Sequence, residues 1–248
     1  MRAGKIGITT ARGMGPLPVV LERMVGSRAV QRVFSRVGLP LEVIENTDHS
    51  IPMAQMIGLF HHAGLEAGDP YFGMRVGMEM GPSSYGKWTR YAAEARTLEE
   101  AILRLRRTIW AHQNVGRMEL DWDMTGPHAI WSYVTPISDP AFERQHADHV
   151  VPVMIRFAQT FLGADWQPAI VRSSFEGNWD GDRPSGSISC DWVFGGKGVS
   201  IAIKPEQIKA TRRFDANAPL TSVDLLAEVT TARTCNPMAE ISALVATR

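Results

Sequence analysis

Two cysteines, Cys190 and Cys235, are all that the 248 residues contain. They are too few, and too far apart in sequence, for a disulfide scaffold or a four-cysteine zinc site. Long hydrophobic runs are missing too. No stretch of about 18 apolar residues exists, so no transmembrane helix is expected. Arg2 and Lys5 open the chain with no apolar segment behind them, so no signal peptide is visible. Both absences point to a cytoplasmic protein. Charge of one sign is also lacking, since 26 Lys and Arg balance 26 Asp and Glu. A domain that grips nucleic acid by itself carries a basic excess, so these residues are not expected to bind DNA directly. There is no internal repeat and no low-complexity tract.

The familiar catalytic signatures are absent as well. No Gly-x-Ser-x-Gly elbow, no Gly-Lys-Ser/Thr phosphate loop and no G-x-G-x-x-G after a strand occurs. No set of residues announces an enzyme, and no catalytic residue or cofactor is assigned.

What is present suits a core. The apolar fraction is 44%, and the length fits one large domain or two small ones. Residues 1–15 are rich in Gly, Thr and Arg and are expected to be poorly ordered. Helical stripes follow at Val20, Leu21, Met24 and Val25, then at Val30, Val33, Phe34 and Val37. Asp48 or Ser50 is an expected N-cap for the next helix, with Pro52 just inside it and Met53, Met56, Ile57 and Phe60 on its apolar side. In "GDPYFGMRVGMEMGP", Phe72, Val76 and Met80 make a stripe, and Gly73, Gly77 and Gly81 repeat beside it. Small residues at that spacing let another backbone come close. Arg75 and Glu79 argue against a membrane dimer face, leaving a short, tightly packed helix and a turn. Thr97 with Glu100 is a capping box opening a helix with Leu98, Ile102, Leu105 and Ile109 inside.

"MELDWDM" alternates perfectly, and "AIWSYV" returns after "TGPH", which predicts an antiparallel hairpin. A long helix is expected over 139–162, strands at "PAIVRSSF" and "GVSIAIK", and a helix at about 219–233. Seven tryptophans are present. Trp122 and Trp131 alternate on facing strands of the hairpin, with Tyr133 beside them, and such rings line apolar pockets as well as cores. Trp88 and Trp110 are the further aromatic candidates, and core filling is the alternative role for each.

Glu143, His146 and His149 fall at i, i+3 and i+6 on the long helix. Glu-x-x-His occurs twice in di-iron bundles and once here, so hydrogen-bonded polar residues are the plain alternative to a metal. His61 and His62 are adjacent and point to different helix faces. Asp180-Gly181-Asp182 lacks the rest of a calcium loop.

Several segments occur in a telling order: "LPLEVIENTDHSIP", "AGDPYFGMRVGMEMGPSSYGKWTRYAAEARTLEEAILRL", "ERQHADHVV", "ADWQPAIVRSSFEG", "FGGKGVSIAIKPEQI" and "ANAPL". Together they resemble the N-terminal effector domain of AraC-type transcriptional regulators, the group called arabinose-binding-like, over roughly residues 16–226. The most specific parts are Gly68-Asp69-Pro70 with Phe72-Gly73, the helix start at Thr97-Leu98, and Arg144-Gln145. The chain departs from the family's usual Leu-Gly pair at Lys87-Trp88, and again around Cys190-Asp191-Trp192. The resemblance implies an α+β fold, with helices packed on a small antiparallel sheet in a single sensor domain over 16–215. It implies a linker helix and the start of a C-terminal helix-turn-helix part over 216–248, the remainder of which would lie beyond Arg248. It further implies a small-molecule effector, a homodimer, and DNA as partner through that C-terminal part. The aromatic hairpin suggests an apolar or amphipathic effector. Two other readings stay open: a metal-assisted enzyme using the 143–149 helix, and a ligand-free dimerisation module.

Overall fold

The computed structural model of the protein describes residues 7–122, 126–135, 140–173, 188–195, 198–212 and 220–235. Asp180-Gly181-Asp182, Trp179, the Met124 end of the "MELDWDM" segment, and the part of the expected 216–248 region beyond Cys235 lie outside these residues.

The chain starts with β1 (Ile8–Thr10) and a 3-10 turn, Ala11–Met14. Four helices and a strand follow: α1 (Leu17–Val25), α2 (Ser27–Val37), α3 (Glu42–Glu45), β2 (Ser50–Pro52) and α4 (Met53–Ala67). Strands β1 and β2 pair antiparallel, and Ala11 and Met14 are buried. The described part of the N-terminal segment is thus ordered, contrary to the reading from its Gly-rich composition. That composition hid a strand too short to show alternation. Pro52 ends β2 and precedes the first turn of α4, so neither Asp48 nor Ser50 caps that helix.

Next come α5 (Phe72–Glu79), α6 (Lys87–Ala93) and α7 (Leu98–Thr108). The Thr97 hydroxyl accepts from the Glu100 N–H at 3.2 Å, as the capping pattern requires. A Cβ on Gly73 would stand 1.8 Å from the Gln145 carbonyl oxygen, and one on Gly77 2.1 Å from that of His149. Two of the three repeated glycines therefore seat α5 directly on the backbone of α8 (Pro140–Leu162). Around the third, Gly81, the space is open.

The remaining elements are β3 (Arg117–Trp122), β4 (Ala129–Val134), β5 (Ile170–Arg172), β6 (Asp191–Val193), β7 (Val199–Ile203), α9 (Pro205–Ile208) and α10 (Ser222–Cys235). The larger sheet has the order β3-β4-β7-β5-β6. Its pairs are antiparallel except β5–β6, which is parallel. The α+β architecture expected from the sequence is the one the chain forms.

Two apolar cores result. One is helical, built from α1, α2, α4 and α5 around Leu17, Phe34, Ile57, Phe60 and Phe72. The other lies between the large sheet and α6, α7 and α8, around Trp131, Leu105, Met154 and Ile201. Helix α8 serves both, since Val153 packs in the first and Val150 and Met154 in the second. Among the described residues, no helix is long and apolar enough to cross a membrane.

Candidate functional site

A cavity of about 40 Å³ lies along the seam of the two cores. From the helical side come Met53, Met56 and Val153, and from the sheet side Trp131, Tyr133, Leu105 and Phe157. Period-two alternation puts Trp131 and Tyr133 on one face of β4, toward α8. The Trp131 ring meets Phe157 of α8 edge-on, with centroids 5.8 Å apart.

One wall of the cavity is an aromatic cluster. Trp88 stacks on His112, with centroids 5.1 Å apart and planes 14° apart. Tyr85 meets both rings edge-on. Each polar tip is held. The Trp88 N–H donates to the Thr108 hydroxyl at 3.1 Å. His112 Nδ1 bonds the Thr10 hydroxyl at 2.8 Å, which ties strand β1 to the wall. Gln113 Nε2 donates to the Tyr133 hydroxyl at 2.7 Å, and Gln113 Oε1 accepts from the Gly116 N–H.

The other wall is α8. His149 Nδ1 faces the His146 carbonyl, so it carries the proton. Its Nε2 is then an acceptor, and the Tyr85 hydroxyl donates to it at 3.2 Å. Burial holds all three histidines neutral: His112 is pushed down to about 3 and His149 to about 4. His146 is pushed well below its ordinary range, by burial and by its two histidine neighbours. Burial also raises the phenols of Tyr85 and Tyr133, so neither ionises. Two buried polar atoms of the lining have no hydrogen-bond partner, Trp131 Nε1 and His146 Nδ1.

Of the five aromatic candidates, the structure brings Trp88, Trp131 and Tyr133 together at this cavity. Trp122 stands apart: it ends an edge strand and is 55% exposed. Trp110 is 41% exposed and belongs to a second groove of about 90 Å³. That groove is floored by Tyr85, Trp88, His112 and Gln113, the same wall that closes the first cavity. Its opposite side is α10, through Leu225, Glu228 and Val229. Glu228 ion-pairs with Arg12 at 3.4 Å and Lys87 at 3.5 Å. The departure from the family pattern at Lys87-Trp88 therefore sits between the cavity and α10.

Sequence reasoning missed Tyr85, His112, Gln113 and the methionines Met53, Met56, Met118 and Met154. No motif surrounds them, and they converge only through tertiary packing. His146 and His149, for which hydrogen-bonded polar residues are the alternative to a metal site, line the cavity, and His149 is hydrogen-bonded there. Among the described residues, no three His, Cys, Asp or Glu side chains are arranged to hold a metal ion.

The chain is an α+β domain with a cavity along the seam of its two cores, and α10 closes a second groove behind that cavity's aromatic wall. Over residues 28–177 the chain matches the family described as the arabinose-binding domain of AraC transcription regulators, N-terminal. That is more than half of its length, and the chain belongs to this family. Among solved structures it is similar to the crystal structure of the transcriptional regulator CdpR from Pseudomonas aeruginosa. The identity is 14% and the TM-score 0.52, covering 88% of this chain and 69% of that one. At that identity the likeness concerns the fold. No curated protein matches the sequence.

Proposed function

We propose that this is the effector-sensing domain of an AraC-type transcriptional regulator. A small apolar or amphipathic molecule enters the seam cavity, against Trp88, Trp131 and Tyr133, and shifts the balance between DNA-competent and DNA-incompetent states. DNA is read by a C-terminal helix-turn-helix part, in the cytoplasm, by a homodimer. The observation that carries this reading is a buried, aromatic cavity whose wall is also the floor of the groove under α10. A ligand that moves Trp88 or His112 also moves the seat of the helix that leads toward the chain's C-terminus.

The test is a thermal-shift screen of metabolites, repeated on Val153→Phe, which fills the cavity. A true effector raises the melting temperature of the wild type and leaves the variant unmoved. A shift that persists in the variant, or no shift from any compound, removes the cavity reading. The ligand-free dimerisation reading would then stand on α10, where Val223 and Leu226 are 71% and 53% exposed one helical turn apart. Sedimentation of the wild type beside Leu226→Glu tests that face.

A further inference from the structure

We infer that the cavity selects an uncharged, largely apolar ligand that presents one oxygen function to the indole N–H of Trp131, and that it rejects both carboxylates and sugars. This rests on the cavity being the effector site.

The lining decides the charge. No Lys, Arg, Asp or Glu is among the described residues that face the cavity. His146 and His149 are buried and His112 is half-buried, and desolvation holds all three neutral, so a carboxylate would leave water without meeting a cation. The polar inventory decides the number of oxygens. Trp88, His112, Gln113 and His149 already engage Thr108, Thr10, Tyr133 and Tyr85, and the Thr9 and Thr89 hydroxyls donate to the Thr10 and Gly86 carbonyls. A sugar brings a hydroxyl on nearly every carbon, and most would enter unpaired.

Two buried nitrogens of the lining have no partner at all. Trp131 is 1% exposed and His146 4%, and neither Trp131 Nε1 nor His146 Nδ1 has a partner. An indole N–H can only donate, so it calls for an acceptor such as a carbonyl or ether oxygen. The Tyr133 hydroxyl accepts from Gln113 and keeps its own proton, on the same face of β4 as Trp131. The shape can adapt, because Met53, Met56, Met118 and Met154 line the space and methionine repacks readily.

Four probes separate the possibilities: cyclohexanone, cyclohexane, cyclohexanecarboxylate and L-arabinose. Their dissociation constants are read near neutral pH from the methyl NMR signals of the lining methionines. Cyclohexanone should bind about tenfold more tightly than the carboxylate or the sugar. Trp131→Phe keeps a ring and removes the N–H. It should weaken cyclohexanone about five- to tenfold, the worth of one hydrogen bond, and leave cyclohexane unchanged. Val153→Phe should abolish both, and Thr89→Leu serves if that variant does not fold. Tighter binding of the carboxylate or of arabinose, blocked by the filling variant, overturns the ligand class while the effector cavity stands. An unchanged ketone-to-alkane ratio in Trp131→Phe overturns the role given to the indole N–H. Flat titrations for all four probes, or binding that ignores the filling variants, overturn the class and the effector site together.

Discussion

The helical core and the seam beside it are built to opposite rules. Around Phe34, Ile57, Leu59 and Phe72 the buried side chains are apolar, from helices whose stripes follow a 3.6-residue period. Along β4, β5 and α8 the interior holds His146, Asp148, His149, Ser173 and Thr135 beside Trp131. The unpaired buried atoms of Trp131, Thr135, His146 and Ser173 all belong to this side. The helical half has His62 Nδ1, on a half-buried side chain. A buried polar atom without a partner costs stability and serves no packing purpose. The first region is therefore specialised for holding the domain together. The second gives up part of that stability, and under the proposed function Trp131 and His146 are the groups it keeps ready for a ligand.

The sharpest way to break this arrangement is at the joint between the two regions. Gly73→Ala places a methyl against the Gln145 carbonyl oxygen, backbone on both sides, where neither helix can yield cheaply. The expected loss is more than about 3 kcal/mol, or failure to fold. Gly81→Ala, in open space, should stay within about 0.5 kcal/mol of the wild type. Urea unfolding of the pair checks both. Equal behaviour of the two variants contradicts the close seating of α5 on α8.

The two regions should next separate stability from binding. Phe34 is fully buried in the helical core, and Phe34→Ala should cost about 3–5 kcal/mol while the folded fraction binds cyclohexanone normally. Trp131→Phe should cost less, about 1–2 kcal/mol, because the lost packing is partly offset by removing an unpaired N–H. Its larger effect should be on the ketone. If both variants lost affinity in proportion to stability, the division of labour would be wrong.

That division also explains what could be read ahead of the structure. The helical core was legible, since α1, α2, α4 and α5 each carry their own stripe or glycine spacing. The β3–β4 hairpin was legible from alternation alone. Of the four three-residue strands, β5 sits inside the longer apolar segment "PAIVRSSF" and was legible, while β1, β2 and β6 offer too few residues for a period to be counted. The site was half legible. Trp131 and Tyr133 stood out by alternating on a strand, but alternation cannot say which end of an edge strand is covered, and Trp122 proved exposed. His112 and Tyr85 follow no periodic pattern and reach the cavity through contacts with Thr10 and His149, distant in sequence.

The pH dependence should carry the mark of the seam. An imidazole that stays neutral when folded lets the unfolded chain take up protons first as pH falls below about 6.5. Stability from His112 and His149 is thus complete above that pH and is lost on acidification toward about 4. Burial raises Glu143 and Asp148 to about 7, with Arg144 opposing it at Asp148. Their contribution has the opposite sign, present in acid and lost as pH rises through about 7. The two sets therefore flatten each other between these limits. His149→Gln should become steadily more stable relative to the wild type as pH drops from about 6.5, by up to about 1.4 kcal/mol per unit. Asp148→Asn should gain on the wild type as pH rises from about 4 to about 7, and no further above that. Denaturant titrations across this range decide the matter, and parallel curves for all three proteins would remove the histidines and Asp148 from the account.

The smallest expected effect on stability tests how the seam is connected outward. Glu228 of α10 pairs with Arg12 and Lys87, all partly exposed. Pairs of that kind contribute no more than about 1 kcal/mol, so Glu228→Gln should barely move the unfolding midpoint. Its consequence should be local. Lys87 is next to Trp88 of the shared wall, and Arg12 is two residues from Thr10, whose hydroxyl holds His112 of that wall. Saturating the cavity with cyclohexanone should therefore change amide exchange in α10 of the wild type, and this change should shrink in Glu228→Gln although the ketone binds as before. If the variant transmits the change in full, α10 senses the cavity through Leu225 and Val229 alone, and the ion pairs only orient the helix.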